Sequence, residues 1–115
     1  MLEDARSAIT RATTLNEKNR NRRTRLDVDL AAARVLAATG KLAESERKLH
    51  AAIADAREAH LVDRELELRL TLAEVELHSG KAAAGRARLA AVRKDAGAKG
   101  FGLLERKAAG PHPSW

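Results

Sequence analysis

The chain has 115 residues, no cysteine, a net charge of +6, and 44% hydrophobic residues of which almost none are aromatic. This length suits one modest domain, and the missing cysteines exclude disulfides and thiolate metal sites. The longest apolar stretch, residues 30–38, is interrupted by Arg34 and falls far short of the roughly 20 residues of a membrane span.

Residues 1–4 lack the basic-then-apolar order of a signal peptide, so a soluble, cytoplasmic protein is expected, with no membrane contact. The 22 basic residues are interspersed with 16 acidic ones, which reads first as a charged helical surface. A core without aromatics must be built from Leu, Ala, Val and Ile at close helix–helix contacts. Such a composition favours helix.

In chain order, residues 2–18 space Leu2, Ala5, Ala8, Ile9, Ala12 and Leu15 helically. A polar, basic joint follows at residues 19–23. A second helix runs over residues 24–39 and stops at Gly40, the usual left-handed residue past a helix end. A third covers residues 42–59, with Leu49, Ala52, Ile53 and Ala56 on one face. After a joint at residues 60–62, Asp63 is expected to cap a fourth helix that ends at Ser79-Gly80. A fifth spans residues 82–98, and residues 103–109 form a short terminal helix. Gly110 and two prolines leave residues 110–115 as a flexible tail.

These elements repeat with a period of about 40 residues. Residues 23–62 set above 63–102 match Leu26 with Leu66, Leu30 with Leu70, Ala33 with Ala73, Gly40 with Gly80 and Leu49 with Leu89. Residues 1–22 join in the same register as an orphan second-type helix, Leu2 falling on Leu42 and Ile9 on Leu49. The fourth helix carries two apolar stripes, Leu66-Leu70-Ala73-Leu77 and Leu68-Leu72-Val75. The second repeats this with Leu26-Leu30-Ala33-Ala37 and Val28-Ala32-Val35. A helix apolar on two flanks is expected to lie between neighbours. The fold class expected is all-α: a right-handed stack of antiparallel helix pairs over residues 1–109.

The pattern of small, large and small residues in the second helices, Ala5-Ile9-Ala12, Ser45-Leu49-Ala52 and Gly85-Leu89-Val92, resembles tetratricopeptide repeats in a long-repeat version. Ala33 and Ala73 match that family's small first-helix slot, and Gly40 and Gly80 its turn glycine. The family's closing proline, which would fall near Arg57 and Gly97, is absent, so the second helices run on. The resemblance implies a TPR-like α-solenoid fragment and a non-enzymatic protein–protein interaction scaffold, similar to the C-terminal arrays of larger bacterial regulators and kinases. It also implies that the first helices line a concave surface. The positions there left over from both stripes are Asp27, Arg34, Glu67, Thr71, Glu74 and His78. This mixed-sign strip suits a charged protein or peptide partner. The unpaired apolar edge at the N-terminus offers a route to self-association.

The alternative is an anion- or nucleic-acid-binding module using Arg20, Arg22, Arg23 and Arg25, the densest charge in the chain. They sit near a helix start, where the macrodipole disfavours cations. Asn21 also stands where the other joints carry Leu61 and Phe101. No aromatics interleave with these arginines, so a nucleic acid is not the expected partner. The histidines at 50, 60, 78 and 112 share no metal-ligand spacing, and no nucleophile motif or phosphate loop occurs. No catalytic residue, metal or cofactor is expected.

Overall fold

A computed structural model describes residues 2–110, with side chains from residue 7 onward. The described residues form five helices: α1 (Leu2–Ala38), α2 (Leu42–Glu58), α3 (Val62–His78), α4 (Ala82–Ala98) and α5 (Gly102–Ala109). The expected tail beyond Gly110 and the packing of the Leu2 and Ala5 side chains lie outside the described residues.

Each turn is built the same way. Gly40, His60, Gly80 and Gly100 adopt left-handed backbone, with φ of 83°, 58°, 81° and 80°. One residue on, an amide reaches back five positions to a helix carbonyl: Lys41 to Leu36, Leu61 to Ala56, Lys81 to Glu76 and Phe101 to Ala96, at 2.8–2.9 Å. These are the bonds of the Schellman ending, which satisfies orphan carbonyls and is favoured by glycine. His60 meets the same demand with a Cβ in place. His60→Gly should therefore raise the unfolding free energy by about 0.5–1 kcal/mol. Urea denaturation checks this, and a loss of stability would mean that the imidazole itself holds the turn.

The left-handed residues fall every twenty positions, and position 20 would continue the series. It holds Arg20, inside α1. The joint expected at residues 19–23 is thus uninterrupted helix, and the expected orphan helix and second helix are one. Two chemical differences account for it. Position 20 carries arginine where three of the four turns carry glycine, and position 21 carries Asn, exposed, where Leu61 is buried and Phe101 packs against the core. Arg is a good helix former with nothing to gain from leaving the helix. At 37 residues α1 is about 55 Å long, and it sets the long dimension of a 60 × 30 × 17 Å molecule. The radius of gyration is 16.9 Å, against about 13 Å for a compact domain of this size.

Consecutive helices run antiparallel, as the pairs between them show: Lys48 of α2 with Asp29 of α1, Lys81 just past the end of α3 with Glu46 near the start of α2, and Arg69 of α3 with Asp95 of α4. α3 also touches α1 and α5, so these three share a layer, with α2 and α4 against it. The centre is a cluster of Leu26, Leu30, Ala33, Leu49, Ala52, Ile53, Leu68, Leu72 and Val75 from α1, α2 and α3. A second cluster joins Leu66, Leu70, Val92, Ala96, Leu104 and Ala108 from α3, α4 and α5.

The two-striped α3 is covered on both flanks, as its pattern requires. α1 is covered on one only: Val28 and Val35 are 61% and 63% exposed. The helix expected to cover them is its own continuation. Ile9, in the register of the fully buried Leu49, is accordingly 66% exposed. Leu89, in that register too, is half-buried, because only the short α5 follows α4. Asp63 does not cap α3; Leu61 holds that position without a side-chain bond, and Asp63 lies in the first turn.

The repeat is visible at atomic detail in the small slot. The Ser45 Oγ donates to the Ala33 carbonyl at 2.8 Å. At Gly85, the matching position, a Cβ would lie 2.9 Å from the Ala73 carbonyl. α4 therefore approaches α3 more closely than a side chain would allow.

Candidate functional site

The layer formed by α1, α3 and α5 places the sequence-derived strip along its edge. Arg64 on α3 donates to both carboxylate oxygens of Asp27 on α1, at 2.9 and 3.2 Å. Arg23 of α1 reaches Asp63 of α3 at 3.0 Å. These pairs, offset by about one repeat, hold α1 and α3 parallel with their strip positions side by side. Arg34 and His78 are exposed and Glu67 is half-buried.

Thr71 and Glu74 lie further in, at 1% and 9% exposure, since α3 has a neighbour on each side within the layer. The Thr71 hydroxyl is buried with no hydrogen-bond partner, while Glu74 and His78 are both engaged. The solvent-facing strip is therefore Asp27, Arg34, Glu67 and His78, with Ala31 and Ala38 between its charges. It holds fewer residues than the spacing suggests.

The arginines of the alternative reading are largely occupied. Arg22 and Arg25 converge on Asp55 of α2, at 3.7 and 3.4 Å, and Arg23 takes Asp63. Among the described residues, Arg20 alone of the four makes no ion pair. These cations lie in the middle of one helix rather than near the start of another, so the macrodipole penalty expected for them does not arise. Their observed work is to fasten α1 to the end of α2 and the beginning of α3. Beside them, Leu15, Lys18, Asn19, Asn21, Arg22 and Arg25 line an open concavity of about 400 Å³.

One charged group escaped sequence reasoning. On the side of α3 opposite the strip, Glu65 and Glu76 are buried, and each carboxylate meets an arginine: Arg57 of α2 and Arg88 of α4. Arg69, between them, reaches Asp95 of α4 at 2.9 Å. Long side chains from α2 and α4 thus roof this side of α3. The spacing of Glu65, Arg69 and Glu76 on one helical face was the available signal.

Two carboxylates show where charge matters to folding. Burial alone would raise Asp63, but hydrogen bonds and charge from Arg23 and Arg64 outweigh it and hold its carboxyl below the ordinary range. Glu46 behaves alike: burial opposes ionisation, and donation from Lys81 and the Ser79 hydroxyl prevails. A carboxyl with a depressed native pKa stabilises the fold above its unfolded value, near 4, and loses that contribution as pH falls through the native value. The melting midpoint should therefore fall as acid is added below about pH 4. The Asp63→Asn variant should show a shallower fall, and equal slopes in a thermal titration would exclude the Asp63 cluster as a contributor.

No group of His, Cys, Asp and Glu among the described residues is arranged to hold a metal ion. No helix among them is long and apolar enough to cross a membrane. No protein-family model, curated protein or solved structure matches the chain.

Proposed function

We propose that the protein is a non-enzymatic scaffold for protein–protein contacts, a TPR-like, right-handed stack of helix pairs belonging to a larger bacterial signalling or regulatory protein. The observation that supports the reading is the contact of α1 with α3, joined by the Arg64–Asp27 and Arg23–Asp63 pairs, with Asp27, Arg34 and His78 exposed and Glu67 half-buried on these two helices. In repeat arrays such a helix face is the extended surface offered to partners. Opposite charges spaced along it favour an extended or helical peptide carrying both signs.

A displayed library of random charged peptides, selected against the immobilised protein, tests this. Enriched sequences should bind the native strip and lose at least tenfold in affinity to the Arg34→Glu, Glu67→Lys double variant. Failure to enrich any motif, or binding indifferent to that variant, would remove the strip as the site. Since Arg22, Arg23 and Arg25 already face carboxylates, the anion-binding alternative gains no support from the geometry.

A further inference from the structure

The apolar seam of α1 continues past the end of α2. Written as a heptad, its positions are Ile9, Ala12, Asn16, Asn19, Arg23, Leu26, Leu30, Ala33 and Ala37, with a spacing of alternately three and four. The last four are buried against α2. Ala8, Ala12 and the 58%-exposed Leu15 lie on the same side of the helix and are exposed, with the exposed Ile9 at its margin. The part of this helix face from Leu26 on is thus filled within the chain, and the apolar part before the polar Asn16, Asn19 and Arg23 is bare.

We propose that residues 7–19 of α1 form a dimerisation arm, which packs antiparallel against the same segment of a second copy. This interface is independent of the strip along α1 and α3. Three features commit the seam to a second copy. It continues an established Leu-and-Ala interface that is itself antiparallel. Its own residues are self-complementary when reversed: Ile9 of one copy faces the small Ala12 of the other, and Ala8 faces Leu15. The direction follows from α2, which already occupies the seam beyond Arg22. A parallel partner helix would run into α2, whereas a reversed one runs away from it.

The polar Asn16 and Asn19 on the seam keep the pairing short and in register. With Ile9 opposite Ala12 the two α1 helices overlap over residues 2–19, about 27 Å, at the small end for a specific interface. The expected dissociation constant is therefore in the range of roughly 1–100 μM.

Sedimentation equilibrium on the full chain from 5 to 500 μM tests the proposal. The wild type should pass from monomer to dimer, with small-angle scattering giving a dimer about 95 Å long, from two 60 Å molecules overlapping along their arms. Ile9→Lys should weaken association about 30-fold or more, with helix content unchanged, and the melting midpoint unchanged at concentrations where the wild type is monomeric, because Ile9 touches no core. Val35→Lys, on the opposite exposed side of α1, should dimerise as the wild type does. As the chain has no cysteine, mixing Ala8→Cys with Leu15→Cys chains under oxidation reports direction. Cross-linked heterodimers support the antiparallel arm, and exclusive homodimers overturn it. A monomer at every concentration, or association lost in Val35→Lys but kept in Ile9→Lys, also overturns it.

Discussion

Leu49→Ala should lower the unfolding free energy by about 2–5 kcal/mol, the largest effect expected of a single truncation in this chain. Leu49 is fully buried in the cluster where α1, α2 and α3 meet. Its side chain fills space bounded by Leu26, Leu30, Leu68, Leu72 and Val75, all on helices locked to one another by short turns. Such walls collapse little, so the cavity term adds nearly in full to the lost transfer energy. A domain of this size has about 5–15 kcal/mol in total, and the variant should be partly unfolded at moderate temperature.

The same truncation one repeat later should cost distinctly less. Leu89 is half-buried, because α4 is followed by an eight-residue helix rather than a full pair. Ile9→Ala, in the first copy of that register, should change stability by no more than about 0.5 kcal/mol. Urea titrations of the three variants would rank them Leu49, Leu89, Ile9. Equal costs at Leu49 and Leu89 would contradict the packing described.

The second large effect is one of shape. Arg20→Gly combined with Asn21→Leu supplies position 20 with the left-handed residue of the other turns and position 21 with the apolar anchor of Leu61. Glycine also withdraws about 1 kcal/mol of helix propensity. Residues 2–18 should then fold back on the rest of α1, covering Val28, Ala32 and Val35 as α2 covers Leu68, Leu72 and Val75. The radius of gyration should fall from 16.9 Å toward the roughly 13 Å of a compact chain. Small-angle scattering reads this directly. An unchanged radius would show that the continuity of α1 is held by something other than the chemistry of the joint. Because the fold-back would use the arm within the chain, this variant should also remain monomeric.

Much of the architecture was legible from spacing. Gly40, Gly80 and Gly100 end helices because an L-side chain resists the left-handed backbone required there. The stripes of α3 predicted its burial on two flanks. His60 was harder to read as a helix end of the same kind, since its type does not advertise a positive φ; its place in the 40-residue register was the better clue. The Glu65, Arg69 and Glu76 face went unread in the sequence. It is roofed because arginines from α2 and α4 are long enough to lie over it.

The depth of two strip residues was not legible. Thr71 and Glu74 have the polarity of surface residues, yet α3 has neighbours on both sides that draw them in. Local sequence ranks positions around a helix; it does not say how closely the next helix will stand.

Period, helical class and most helix ends are written in residue types, because backbone preference and hydrophobic spacing act within a few positions of one another. Whether residues 19–23 bend, and so whether the Val28–Val35 stripe is core or surface, depends on which helix comes to lie beside it. Val35 and Val75 are the same residue in the same register, one 63% exposed and the other fully buried. The difference is a neighbour, and burial is a property of the pair.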